Sequence, residues 1–81
     1  MKAKVELLGS QKSIAGTNTV EFPVSDTSSV TDALNHVSAL YPALFLNPNN
    51  LVMTVNGTVS SGGKVLHAGD VVSFLPVIGG G

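Results

Sequence analysis

The 81-residue chain has no cysteine and no tryptophan, and its four basic residues are all lysine. Without cysteine there is no disulfide framework, no thiolate nucleophile and no thiolate metal ligand. Without arginine, and at a net charge of −1, no basic stripe exists to collect phosphates by counterion release, so no nucleic-acid partner is expected. Charged residues make up 11% of the chain, against roughly 25% in an ordinary globular domain. Ser, Thr, Asn and Gly must therefore cover much of the surface. No apolar run approaches the roughly 18–20 residues of a membrane span, and the N-terminus lacks the apolar region of a signal peptide. These absences lead to the expectation of a cytoplasmic protein with no membrane attachment. What is present is an apolar fraction of 43%. That suffices for one small domain, which at this length buries roughly 60–65% of its unfolded surface.

Period-two patterning opens the chain. Lys4-Val5-Glu6-Leu7-Leu8 predicts a first strand, with Val5 and Leu7 facing inward and Leu8 sharing the outer face with Glu6. Gly9 to Asn18 reads as a turn region over which Ile14 folds back onto the core. Thr19 to Val24 predicts a second strand with Val20, Phe22 and Val24 inside. Pro23 lacks a ladder donor, which suits an edge or a strand end. Ser29-Val30-Thr31-Asp32 then fits a capping box, although Asp reaches less far than the usual Glu. Behind it, Val30, Ala33, Leu34, Val37 and Leu40 form the apolar stripe of a helix that should stop near Tyr41, before Pro42.

Ala43 to Asn50 is a connection in which Leu44, Phe45 and Leu46 are the expected anchors. Leu51 to Val55 predicts a third strand. Asn56-Gly57 supplies the two positive-φ positions of a type I′ turn, and Thr58-Val59 begins the return. Lys64 to Leu66 is short and extended, Ala68-Gly69-Asp70 is a tight turn, and Val71 to Pro76 is the last strand, with Val72 and Phe74 on one side. His36 and His67 have no partners at catalytic or metal-ligand spacing and read as surface residues. Strands flanking a single helix in this order pack best as an α+β fold of the β-grasp, ubiquitin-like type: a mixed sheet on one main helix, with the first and last strands parallel at its centre. The expected organisation is a β-grasp domain over 1–76 and a flexible tail over 77–81.

That tail, Val77-Ile78-Gly79-Gly80-Gly81, ends on glycines that have nothing to pack and are costly to order. Its use would be as a thin thread carrying a carboxylate into a slot too narrow for a Cβ. At roughly 3.3 Å per extended residue it reaches about 16 Å. A frayed terminus is the competing reading.

The chain resembles the MoaD-type sulfur carriers, the small subunit of molybdopterin synthase. The residues that carry the likeness are Lys4 to Gly9, Ile14-Ala15-Gly16, Ser29 to Leu34, Tyr41-Pro42, Val55-Asn56-Gly57, and Ala68 to Pro76 joined to the terminal Gly80-Gly81. The resemblance implies that an ATP-dependent, MoeB-like adenylating enzyme activates the Gly81 carboxylate as an acyl-AMP. A sulfur donor then converts it to a thiocarboxylate, and the carrier passes that sulfur to precursor Z on the large subunit of a heterotetramer, making the dithiolene of molybdopterin. Gly81 is then the reactive residue and Gly80 the one that must fit the partner's slot. No cofactor is bound, ATP is used in trans, no metal is held, and the chain catalyses nothing alone. Leu8, Val59 and Leu75 are the candidate docking residues, although ordinary scattered surface apolarity accounts for them equally.

The chain departs from the family pattern in places. Only Lys12 stands where a basic residue, often arginine, follows the first strand. Val77 replaces a second proline, and the aromatic pair before Pro76 is reduced to Phe74-Leu75. Gly79 falls on a variable position, so Gly81 needs no trimming. A sulfur carrier for thiamine thiazole, tRNA thiolation or cysteine synthesis, or a ubiquitin-like protein modifier, would share the tail. A plain β-grasp binding module would not require it.

Overall fold

In the computed structural model, which describes residues 1–76, the chain runs β1 (Lys2–Glu6), α1 (Ser10–Ala15), β2 (Thr19–Pro23), α2 (Val30–Leu40), two 3₁₀ turns (Pro42–Leu44 and Pro48–Asn50), β3 (Leu51–Val55), β4 (Thr58–Val59) and β5 (Val71–Pro76). The strands form one mixed sheet in the order β2-β1-β5-β3-β4. β1 and β5 are parallel, with Lys4 beside Val71 and Glu6 beside Ser73. The other pairs are antiparallel. This is the β-grasp arrangement expected from the sequence, with β5 in the middle and β2, carrying Pro23 at its end, on an edge.

Alternation decides the two faces of the sheet. Ala3, Val5 and Leu7 from the first strand and its exit, Val20 and Phe22 from β2, Val55 from β3, and Val72 and Phe74 from β5 are all buried. They pack against Val30, Ala33, Leu34 and Val37 on the inner stripe of α2. The helix begins as its sequence requires. The Ser29 hydroxyl accepts from the Asp32 N–H at 3.2 Å, and Asp32 accepts from the Ser29 N–H at 2.9 Å. The shorter carboxylate side chain therefore closes the capping box. The type I′ turn is also present, with φ of 52° at Asn56 and 83° at Gly57.

Several expectations are corrected. The stretch after β1 is not simply a turn: Ser10–Ala15 is a short helix ended by Gly16 in the left-handed region, its N–H bonded to the Lys12 carbonyl. Its inward position is taken by a polar residue, Gln11, and this hides the helical stripe. Ile14, one turn along, is exposed rather than folded onto the core. Leu40 lies beyond the helix's buried stripe and is exposed, as is Phe45, which projects 86% of its surface. Leu44 and Leu46 do pack on the core. The first strand also starts earlier than its apolar pattern, at Lys2. Leu66, a core residue exposed by 1%, is held by its N–H on the Ser28 carbonyl at 2.8 Å. The neighbouring Val65 bridges Ser29, so this segment is tied to the start of α2.

Candidate functional site

Everything the sequence assigns to chemistry depends on where β5 releases the chain. The strand is paired on both sides, and its end is aligned with the beginning of β3, Leu51 facing Pro76 and Val52 facing Leu75. Because Phe74 is buried on the helix side, Leu75 lies on the opposite, open face. Leu75 is 36% exposed there and Pro76 is also exposed. Beside Pro76 lies a shallow groove between the exit of β1 and the 3₁₀ turns, lined by Leu8, Gln11, Leu44, Phe45, Leu51 and Pro76.

Gly80 and Gly81, the predicted reactive end, lie outside the described residues, as do Val77, Ile78 and Gly79. The candidate docking residues fall at three places. Val59 is exposed on the edge strand β4, opposite Thr54, which in turn faces Ser73 of β5. It therefore shares the open face with Leu75, and Val52 lies between them on β3. Leu8 is partly exposed just past the end of β1, at the groove beside Pro76. The open face is thus divided. Its β2–β1 half carries Lys2, Lys4, Glu6 and Glu21, with Lys2 and Glu21 3.6 Å apart. Its β5–β3–β4 half carries Val52, Ser73, Thr54, Leu75 and Val59, without a charge.

Sequence reasoning missed the bonds that fix both ends of β5. At the start, the Asp70 carboxylate accepts from the His67 N–H at 2.8 Å and from the Asn56 side chain at 3.0 Å. Asn56 also accepts from the Val71 N–H at 2.9 Å. These donors, the His67 N–H first and the Asn56 amide second, hold the Asp70 carboxyl below its ordinary range. At the far end, the Gln11 side-chain amide donates to the Phe74 carbonyl at 2.8 Å. The turn residues Asn56 and Asp70 were visible in the sequence, but nothing local shows that they meet. Gln11 gives no sequence signal beyond being polar where a core residue belongs.

Neither histidine joins a constellation. His36 is half-buried with its ring 5.2 Å from that of Phe22, and His67 lies at the surface 3.8 Å from Asp70. Among the described residues no cluster of three or more His, Asp or Glu side chains could hold a metal ion. Among them, too, no helix is long and apolar enough to cross a membrane.

Comparison with known proteins gives the arrangement its context. The structure is similar to that of small archaeal modifier protein 1 from Haloferax volcanii, at 25% identity and a TM-score of 0.82 over 100% of both chains. Urm1 from Trypanosoma brucei aligns with 99% of this chain and 95% of its own, at 20% identity and a TM-score of 0.69. A chain of the complex of subunits 1 and 2 of the molybdopterin-converting factor from Helicobacter pylori aligns over 100% of both chains, at 20% identity and a TM-score of 0.64. No curated protein matches in sequence. The profile of the ThiS family matches residues 5–81, from β1 through the terminal glycines. The chain therefore belongs to the ThiS family of ubiquitin-like sulfur carriers.

Proposed function

We propose that this protein carries sulfur as a thiocarboxylate on Gly81 and delivers it to precursor Z in molybdopterin synthesis, as the small subunit of a molybdopterin synthase. The observation that carries the reading is the family match running through the glycines, joined to a central strand that leads directly to them. In the activating step, a Gly81 carboxylate oxygen attacks the α-phosphorus of ATP on an adenylating enzyme and pyrophosphate leaves. Hydrosulfide released by the sulfur donor then attacks the acyl carbon, AMP departs as the leaving group and the thiocarboxylate remains. A carboxylate is a poor acyl electrophile and adenylation supplies its leaving group, so the carrier itself needs neither a base nor a metal. Gly80 and Gly81 suit a slot that excludes any side chain. Val59, Leu75 and the neighbouring Val52 offer an uncharged face, with Leu8 at its margin, for the adenylating enzyme and for a large subunit. The molybdopterin-converting factor of Helicobacter pylori, a complex of two subunits, supports a partner of that kind.

The decisive experiment is the intact mass of the protein after incubation with a MoaD-type adenylating enzyme, Mg-ATP and a sulfur donor. A gain equal to the exchange of one oxygen for sulfur, absent when Gly81 is deleted, is the expected result. No gain with an enzyme proven active on another carrier overturns the sulfur-carrier reading. The likeness to small archaeal modifier protein 1 and Urm1 favours a second use of the same end, attachment of Gly81 to a lysine of another protein. An isopeptide-linked conjugate in the same incubation, with candidate acceptor proteins present, is its signature. The acceptor is tested by adding precursor Z and the large subunit: dithiolene formation supports the molybdopterin assignment, and sulfur retained on the carrier argues for another pathway.

A further inference from the structure

The parallel ladder between β1 and β5 stops one rung early. Its rungs are set by the register, in which the Lys4 N–H donates to the Asp70 carbonyl at 2.9 Å. In a parallel pair the next donors on β1 recur every second residue, so Glu6 meets the Val72 carbonyl and Leu8 is due to meet Phe74. That last bond is replaced. The Leu8 N–H points instead to the Gln11 side-chain oxygen, at a long 3.4 Å, and the Gln11 side-chain N–H₂ donates to the Phe74 carbonyl at 2.8 Å. A single carboxamide thus lies between the two strands as a peptide group would, accepting from one and donating to the other. Gln11 is exposed by only 7%, and no buried side-chain nitrogen or oxygen among the described residues lacks a partner.

We propose that Gln11 is a positioning residue for the reactive end: its carboxamide, inserted as the final rung between Leu8 and Phe74, fixes the path along which β5 passes the chain through Leu75 and Pro76 to the glycines. The claim rests on the proposed chemistry at Gly81 and adds a residue to it. The bonded carbonyl belongs to the peptide that joins Phe74 to Leu75. That peptide is trans, so the Leu75 N–H on its other side faces β3. Gln11 and β3 therefore hold the same peptide from opposite sides, immediately before Pro76. With the amide gone, β5 keeps only its β3 side at this point, and Leu75 and Pro76 are held less firmly in direction. Docking through Val59 and Leu75 would be little changed, but the fraction of docked carriers whose carboxylate meets ATP would fall.

The test compares full-length wild type with Gln11→Met, which keeps the size and removes the amide, and with Ser13→Met as a control on the exposed face of α1. In the free protein, the Leu75 amide should exchange with solvent about tenfold faster in Gln11→Met, the effect of losing one hydrogen bond, while Val5 and Val72 are unchanged. In pyrophosphate release by a purified adenylating enzyme with the carrier as varied substrate, kcat should fall about tenfold with KM held within about twofold. Ser13→Met should match wild type in both measurements. Unchanged Leu75 exchange, or faster exchange with unchanged kcat, overturns the proposal, and an equal loss in Ser13→Met assigns the effect to α1 as a whole and overturns it too. If wild type itself releases no pyrophosphate with a proven enzyme, the chemistry at Gly81 falls and the positioning role with it. The exchange measurement would then still report whether Gln11 anchors β5.

Discussion

The two ends of β5 are built in opposite ways. At Val71 the strand is clasped by charge-assisted and neutral polar bonds among Asn56, His67 and Asp70, at the surface and beside the hairpin turn. At Leu75 and Pro76 it is flanked by apolar side chains and held on its β1 side by one buried amide, that of Gln11. The first end fixes the register of the β3–β4 hairpin against the central strand. The second leaves an apolar face uncovered and, beyond its ladder to β3, is held on the β1 side by that one side chain. The difference separates what the fold needs from what a carrier needs: one end is fastened, the other presented.

The comparison breaks first at the core residue that lies between Val71 and Leu75. Phe74 is fully buried between α2 and the sheet. Phe74→Ala should lose about 3–5 kcal/mol of stability in chemical denaturation, enough to unfold many small domains and erase the distinction. Asn56→Ala attacks the clasped end alone. It removes two side-chain bonds and places alanine at a φ of 52°. A loss of about 2 kcal/mol is expected, with pyrophosphate release by the folded fraction unchanged. Leu75→Asp attacks the presented end, and should weaken binding to a large subunit about tenfold or more, while stability stays within roughly 0.5 kcal/mol of wild type. Unchanged affinity would remove Leu75 from the docking face.

A finer test uses pH. The folded-state pKa of Asp70 lies below its ordinary value of 3.8, so its ionised form adds stability that is fully present above that value. As pH falls from about 3.8 through the lower folded-state pKa, that increment disappears. Wild type should therefore exceed Asp70→Asn in stability at pH 7, and the gap should close in strong acid, measured by denaturation at successive pH values. The smallest effect is expected at Phe45, which is exposed and has a φ of 50°. Phe45→Gly should relieve that conformation and leave stability within about 0.5 kcal/mol of wild type in thermal unfolding. A larger loss would show that the ring stabilises the free fold.

How far the sequence reaches is clearest from particular residues. The Ser29–Asp32 capping box, the Asn56-Gly57 turn and the boundaries of β3 and β5 are legible because each is decided by neighbours within a few positions. Their alternation then orders the sheet. Leu66 and Gln11 are not legible, because their partners, Ser28 and Phe74, lie far along the chain. Ile14 and Leu40 were misplaced because an apolar side chain in the right period is only a candidate for burial; tertiary contacts choose among candidates. Of the candidate site, the shared face of Val59 and Leu75 follows from register. The role assigned to Gly80 and Gly81 lies outside the described residues.

The pairing of Lys4 with Val71 has a further consequence, in time rather than in space. Contacts between residues so distant along a chain close slowly, since the loop between them must be ordered first. During synthesis β1, β2, α2 and β3 all leave the ribosome before the strand that belongs between β1 and β3. Until residues 71–76 emerge, β1 and β3 have no common partner and the core lacks Val72 and Phe74. Assembly of the sheet is thereby deferred until residues 71–76 emerge, and it closes around the same strand that precedes the proposed reactive glycines.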